Sequence, residues 1–436
     1  MANLIAYSEG GVRLFNRGHP LRELDAPLQQ LFAAVLTYVE GQGATLLSCD
    51  TVTAKVVWAH KGQMLMILLL PHLDVRSDQP WLALLDMMHS LLLALLGQPV
   101  LDNTKAGELL PKLKMAYPIL DHLLALRFDR GGLYLGAVDV AFPPNVPALQ
   151  NALDLFAYEL QASRCFLIVH GRVVVASDEY WSLSARDKLV LACFFSDKNE
   201  LPNDRLEQIF FLPDASPDRP FRLLAFNVMD NVIIGALCGA EPSLQHVVDE
   251  VLAQVWQPAF EALETACTLH VNPCDIACLH PDILAAFVWD RAYHRCLSVV
   301  RPETSPSIQQ ELLLFALDAN RLDWEWQLTA SSSTSVKGVT SANSSRLSHV
   351  SHISNQDDGP VLTALQRFEG CTGDSRLVAA DVGSDLMLYL ALRPQARTSR
   401  TTAAPNSNRV LLHRVQGPIP YPMFVANFMV KMIMNE

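Results

Sequence analysis

Four side chains that can bind zinc lie within eleven residues of one another, and this segment is the first candidate for chemistry in the chain. They are His270, Cys274, Cys278 and His280. Tetrahedral zinc sites commonly use two cysteines separated by two residues, whereas Cys274 and Cys278 are separated by three. The spacing favours two core cysteines on one helical face with histidines at the surface, and we expect no metal there.

No other residue pattern predicts a catalytic site. Motifs typical of phosphate-binding loops, zinc proteases and serine hydrolases are absent from the sequence. His349 and His352 lie in a serine-rich stretch that cannot hold a base or a metal ligand in place, and Asp357 with Asp358 is typical of a loop. The nine cysteines lie among apolar residues with no base nearby to lower their pKa. We therefore predict no catalytic residue, no metal and no cofactor.

Composition and charge narrow the possible partners and compartments. Of 436 residues, 50% are hydrophobic and 18% are charged, and the net charge of -12 repels nucleic acid. The first ten residues lack the basic region of a signal peptide, so we expect a cytoplasmic protein. Residues 81–97 are the most membrane-like, but they include Asp86 and are shorter than the ~20 residues of a membrane span. We predict a buried helix there.

The elements repeat along the chain in the order hairpin, helix, three-stranded meander, helix. In the first copy the pattern predicts strands at 3–8, 12–16, 44–50, 54–60 and 63–70 and helices at 27–42 and 81–96. In the second copy it predicts strands at 165–169, 172–176, 206–212, 221–228 and 232–238 and helices at 184–195 and from Ser243 onward. Residues 100–160 add helices, including 148–160, between the two copies.

A third, degraded copy follows. The pattern predicts strands at 293–301, 322–329, 377–381 and 386–392 and helices at 307–319 and 423–434. Residues 331–354 contain ten serines and no aromatic residue, which predicts a disordered insertion, and 398–408 predicts a shorter one.

The helix at 27–42 has an unusual surface. Its sequence contains one charged residue, Glu40, although a surface helix normally carries several. The predicted core face comprises Leu28, Leu31, Phe32, Val35 and Val39. The predicted outer face comprises Gln29, Gln30, Ala33, Ala34, Thr37 and Tyr38. Burial against a partner chain and coverage by the protein's other domains both explain such a neutral face.

Five stretches of sequence, in order along the chain, resemble the Fuzzy family of planar cell polarity effectors. They are the hairpin from Gly11 to Phe15 and residues 53–58, 113–124, 138–144 and 165–181. Shorter matches follow at 256–258, 279–284 and 295–297, so the resemblance covers nearly the whole chain. The sequence differs from the family in the serine-rich insertion and at residues 398–408.

The resemblance implies an α+β protein of three tandem longin-like domains, each a five-stranded, mostly antiparallel sheet flanked by helices. We place the domains at 1–135, 136–275 and 276–436, with the disordered insertion at 331–358. Fuzzy-like proteins pair with the longin- and PDZ-containing protein Inturned and join the WD-repeat protein Fritz. The pair is similar to the Mon1–Ccz1 exchange factor. The resemblance thus implies a Rab-type small GTPase as a partner, contact with a membrane surface, and a location at the base of the cilium or the apical cortex.

These inferences predict a regulator rather than an enzyme. The chain would be one subunit of a heterodimeric guanine-nucleotide exchange factor, with exchange activity only in the complex. A non-catalytic longin scaffold that presents a loaded GTPase is the alternative, and zinc hydrolysis is the third possibility. For the partner-binding surface we predict Gln30, Ala33 and Thr37, beside an exposed edge strand.

Overall fold

The computed structural model describes most of the chain up to residue 317 and three strands after it. The described residues are 2–18, 26–51, 54–71, 78–125, 131–143, 145–196, 204–268, 283–301, 304–305, 308, 311–317, 367–371, 376–381 and 386–392. The chain divides into two compact units, 1–139 with 147–268, and 140–146 with 269–436. The predicted zinc-capable segment, the serine-rich insertion, the strand at 322–329 and the helix at 423–434 lie outside the described residues.

The first sheet is formed by the N-terminal part of the chain. Its strands are β1 (Asn3–Ser8), β2 (Arg13–Gly18), β3 (Ser48–Asp50), β4 (Ala54–Lys61) and β5 (Met64–Pro71). They are antiparallel and lie in the order β2-β1-β5-β4-β3. Helix α1 (Ala26–Gly41) connects β2 to β3, and α2 (Gln79–Leu96) follows β5.

Short helices connect the first sheet to the second. They are α3 (Gln98–Asn103), α4 (Ala106–Leu113), a 3-10 turn (Lys114–Ala116), α5 (Tyr117–Ala125) and α6 (Gly131–Leu135). A two-residue strand, β6 (Val138–Asp139), precedes α7 (Val146–Leu160). Arg17 of β2 pairs with Asp121 of α5, and its guanidinium carbon lies 4.5 Å from the ring centre of Tyr117. These contacts fix α5 beside the first sheet.

The second sheet repeats the topology of the first. Its strands are β7 (Arg164–Val169), β8 (Arg172–Ala176), β9 (Arg205–Leu212), β10 (Ser216–Met229) and β11 (Val232–Cys238), in the order β8-β7-β11-β10-β9. Helices α8 (Asp178–Trp181) and α9 (Ala185–Ser196) lie between β8 and β9. After β11 the chain forms α10 (Leu244–His246), a π-helical turn (Val247–Val251), α11 (Leu252–Trp256), a 3-10 turn (Gln257–Ala259) and α12 (Phe260–Thr268).

Five strands of the C-terminal unit form a further antiparallel sheet. They are β12 (Ile283–Asp290), β13 (Arg295–Val300), β14 (Arg367–Cys371), β15 (Arg376–Asp381) and β16 (Leu386–Leu392). They pair in the order β14-β15-β16-β12-β13. At the β12–β13 turn, Arg295 Nε lies 3.1 Å from Asp290 Oδ2, and both side chains are buried. Residues 311–317 are helical.

The predicted fold class is confirmed by these antiparallel sheets and their flanking helices. The predicted strands match the first two sheets closely, whereas β12 and β14 were missing from the prediction. The first two sheets belong to one compact unit, and the three domain boundaries stay predictions.

Helix α2 is buried on nearly all sides because it lies between the first two sheets. It contacts β4 and β5 of the first sheet and β9 and α9 of the second. Arg186 Nε of α9 donates a hydrogen bond to Ser90 Oγ of α2 at 2.6 Å. By length and composition α2 is the one helix among the described residues that could cross a membrane, and 78% of its apolar window is buried inside the protein. The predicted buried helix is therefore confirmed.

Gly97, which follows α2, allows close packing between the repeats. Its φ angle is 79°, and a Cβ atom there would lie 2.7 Å from the ring of Phe211 in β9. A larger residue would therefore push α2 away from the second sheet.

Candidate partner-binding surface

Helix α1 is held to the first sheet by its buried side. Leu36 is 2% exposed and belongs to the core cluster that includes Tyr7 of β1 and Trp58 of β4. The helix ends where Gly43 adopts a φ of 74° and donates a hydrogen bond to the carbonyl of Glu40 at 2.8 Å. Gly43 is favoured there because an L-residue with a side chain is strained at a positive φ.

The opposite side of α1 exposes a row of apolar side chains. Leu31 is 52% exposed, Val35 is 38% exposed and Tyr38 is 70% exposed, and Ala34 is exposed between them. Because a helix turns by about 100° per residue, positions 31, 34, 35 and 38 lie on one face. We call these four residues the α1 stripe. A contiguous apolar row on a surface helix is typical of an interface.

The predicted orientation of α1 was wrong for two residues. Leu31 and Val35 were assigned to the core face, but both are exposed, whereas Ala34 and Tyr38 are exposed as predicted. The apolar residues of this helix cover two faces, and the sheet takes the one that contains Leu36. An apolar period of 3.6 residues cannot by itself tell which of two apolar faces a sheet covers.

The three predicted contact residues stay predictions. Gln30, Ala33 and Thr37 lie within the backbone of α1, but their side chains are outside the described residues. The sequence did not lead us to predict that Leu31 and Val35 are part of the exposed surface of α1. The signal was present in the sequence, because the helix has more apolar residues than one sheet-facing side needs and only one charge.

The edge of the first sheet is anchored by a buried lysine on the face away from α1, because Val56 and Trp58 of the same strand point toward the core cluster that contains Leu36. Lys55 of β4 has a 7% exposed side chain, and its Nζ lies 2.5 Å from Asp78 Oδ1 and 3.4 Å from Asp50 Oδ1 of β3. Ser48 of β3 donates a hydrogen bond to Asp78. Leu47, just before β3, is exposed, so an apolar side chain is at the surface near this edge of the first sheet.

The pKa shifts of this pair show how strongly its charges depend on each other. Burial alone would raise the pKa of Asp78, but hydrogen bonds from Lys55 and Ser48 outweigh it and lower the pKa. Burial alone would lower the pKa of Lys55, but the hydrogen bond to Asp78 and the two nearby carboxylates raise it. Both groups stay charged at neutral pH, and each stabilises the other.

The end of α1 carries its one described charge. Glu40 Oε1 lies 3.3 Å from His60 Nε2 of β4, and both side chains are partly exposed. The α1 stripe itself carries no charge, so a partner that covers it needs no charged group opposite.

The described cysteines do not favour nucleophilic chemistry. Burial raises the pKa of Cys165, and it raises the pKa of Cys238 to about 11. Cys193 and Cys296 are also buried, whereas Cys49 is exposed on β3, so the expectation that each cysteine lies in apolar surroundings was wrong for that residue. Among the described residues no group of three or more metal-binding side chains is present.

A narrow cavity of about 30 Å³, lined by both polar and apolar side chains, lies between the two hairpins of the first sheet and α2 to α4. His89 lines this cavity and is 8% exposed, and its Nδ1 has no hydrogen-bond partner among the residues that the structure describes. Burial and the charges of Arg186 and Lys61 lower the pKa of His89 to about 4. A neutral histidine in a space of one or two water molecules offers no catalytic arrangement.

Comparisons with known proteins agree with this architecture. Residues 164–257 match the family described as the second longin domain of FUZ, MON1 and HPS1. These residues begin at β7 and extend through β11 to the helices after it.

Curated relatives cover a larger part of the chain. The chain is 29% identical to the Protein fuzzy homolog of Homo sapiens in an alignment 320 residues long, which covers 70% of this chain and 75% of that protein. It is 26% identical to the Protein fuzzy homolog of Xenopus tropicalis in an alignment 318 residues long, which covers 72% of this chain and 75% of that protein. The resemblance to the Fuzzy proteins is therefore confirmed, and residues 164–257 are similar to the second longin domain of FUZ, MON1 and HPS1.

Proposed function

We propose that this chain is one subunit of a two-chain guanine-nucleotide exchange factor for a Rab-type small GTPase, in which the α1 stripe contacts an Inturned-like longin partner. The α1 stripe is the observation that carries the proposal. It is an uncharged, exposed row on a longin-like sheet, and a permanent interface favours such a surface over a solvated one.

Exchange activity requires no catalytic side chain. An exchange factor binds the GTPase in a state that holds its nucleotide weakly, and each 1.36 kcal/mol removed from the release barrier speeds release about tenfold. The described residues, with buried thiols and a neutral buried histidine, are consistent with this kind of function. The similarity to proteins named Protein fuzzy homolog supports a planar cell polarity context. The location at the cilium base or apical cortex and the Fritz-like WD-repeat partner are part of the proposal and rest on the family resemblance alone.

The experiment is a nucleotide-release assay with a panel of Rab-type GTPases. Release of a fluorescent GDP is measured with this chain alone, with the Inturned-like partner alone and with both together. We expect faster release only with both chains present. Stable binding of the loaded GTPase without faster release contradicts the exchange factor and supports the alternative, a longin scaffold.

A further inference from the structure

Two helical segments cover one side of the second sheet. The first is α7, and the second runs from Leu244 to Thr268 through α10, α11 and α12. The ring of Phe156 in α7 lies 6.1 Å from that of Trp256 in α11 and 6.4 Å from that of Phe226 in β10. The two segments therefore lie side by side on the sheet, and we call their exposed residues the acidic helical face.

This face carries negative charge with very little positive charge to balance it. Residues 146–160 and 244–268 contain six carboxylates and no lysine or arginine. All six carboxylates are exposed: Asp154, Glu159, Asp249, Glu250, Glu261 and Glu264. The single basic group is His246, whose Nδ1 lies 3.4 Å from Glu250. Solvated helices normally mix both signs of charge, because like charges repel one another.

The same face exposes three large apolar side chains. Leu155 is 46% exposed, Tyr158 is 77% exposed and Phe260 is 50% exposed. In the helices, Tyr158 lies one turn from Asp154, and Phe260 lies one turn from Glu264, so each aromatic side chain has a carboxylate on the same side of its helix. Aromatic side chains beside charges of one sign are typical of a surface that binds an oppositely charged, partly apolar partner.

We propose that the acidic helical face docks a basic amphipathic helix of a partner protein, with lysines or arginines beside a row of apolar side chains. The carboxylates select positive charge, and Tyr158 and Phe260 provide the apolar anchors. An anionic membrane surface and nucleic acid are repelled by the same carboxylates. A second copy that offered this same face would bring like charges together.

The test uses a fluorescent synthetic helix of leucine and lysine, with leucines on one face, and a second peptide in which glutamate replaces lysine. Binding to the full chain is measured by fluorescence anisotropy at rising ionic strength. We expect the lysine peptide to bind, the glutamate peptide not to bind, and affinity to fall as salt rises. Glu261→Lys with Glu264→Lys weakens binding about tenfold, and so does Tyr158→Ala with Phe260→Ala.

Charge reversals elsewhere provide the matched control. Glu108→Lys with Asp218→Lys changes the net charge by the same amount at exposed positions outside the face, on α4 and β10. This variant is expected to bind the lysine peptide within about twofold of the unmodified chain. Failure of the unmodified chain to bind, or equal weakening in the control, overturns the proposal. Loss of self-association on reversing Glu261 and Glu264 overturns it as well, because the occupant is then a second copy.

Discussion

Gly235 of β11 should not tolerate any side chain, and this provides a sharp test of the packing in the second sheet. It lies directly opposite Phe166 of β7, and a Cβ atom at position 235 would lie 2.3 Å from two carbons of the Phe166 ring. The ring cannot move aside easily, because it is fully buried and its centre lies 5.5 Å from that of Tyr180 and 5.6 Å from that of Phe195.

The expected cost of Gly235→Ala follows from this geometry. Overpacking of a core typically costs about 1–3 kcal/mol, and alanine regains up to about 1 kcal/mol over glycine in a strand. An approach of 2.3 Å is severe, so we take the upper end of that range and expect the free energy of unfolding to fall by about 2 kcal/mol in a urea titration. Gly239→Ala is the matched control, because a Cβ atom there would have no atom of the described residues beyond its chain neighbours within 4 Å, and we expect a change below about 0.5 kcal/mol.

A second substitution tests the cause of the loss. Phe166→Leu removes the ring that collides with the new methyl group, so the double variant with Gly235→Ala should be more stable than the sum of the two single changes predicts. Strict additivity of the two changes would refute the steric explanation, and so would a Gly235→Ala variant as stable as the unmodified chain.

Two further predictions concern buried titratable side chains. The pKa of His89 is about 4 in the folded chain, against an ordinary value of 6.5. Between these two pH values the unfolded chain binds a proton that the folded chain does not. The free energy of unfolding therefore rises with pH across this window, by roughly 3 kcal/mol in all. His89→Gln should make the free energy of unfolding depend less on pH between pH 4.5 and 7, as measured by urea titrations. An unchanged dependence on pH contradicts the lowered pKa of His89. Lys55→Met should lower the free energy of unfolding by about 1–3 kcal/mol, because it leaves Asp78 with the Ser48 hydrogen bond but without its positively charged partner. Adding Asp78→Asn should restore part of that loss, and a double variant as unstable as the two losses combined contradicts the pairing.

The sequence predicts the fold well where the pattern of apolar residues is simple. In the first two sheets, short apolar runs separated by turn residues such as Gly62 and Gly171 correspond to strands that pair with their neighbours. β12 was missed because it is a continuous apolar run without the alternation of a half-buried strand, and such a run does not by itself distinguish a strand from a helix. Its partner β16 is distant along the chain, and long-range pairing leaves no local signal.

The candidate surface was predicted only in part, for a physical reason. Charge content identifies α1 as unusual, since Glu40 is its one charged residue. The side that meets the sheet depends on how Leu36 fits among residues of β1, β4 and β5, which are brought together only by folding. The acidic helical face was missed for a similar reason. Its two helices are about a hundred residues apart in sequence, and their common sign of charge matters only when they lie side by side.

The affinity of an Inturned-like partner for α1-stripe variants tests the central claim most directly. Leu31→Glu with Tyr38→Glu places two charges on the stripe, whereas Met115→Glu places one on an exposed apolar position of the 3-10 turn as a control. Because Leu31 and Tyr38 are exposed, the free energy of unfolding of the stripe variant without its partner should differ from that of the unmodified chain by less than about 1 kcal/mol. We expect the stripe variant to lose about a hundredfold in affinity for the partner, with the control unchanged. Equal affinity of the stripe variant and the unmodified chain would contradict the account and leave α1 as a surface helix that no partner covers.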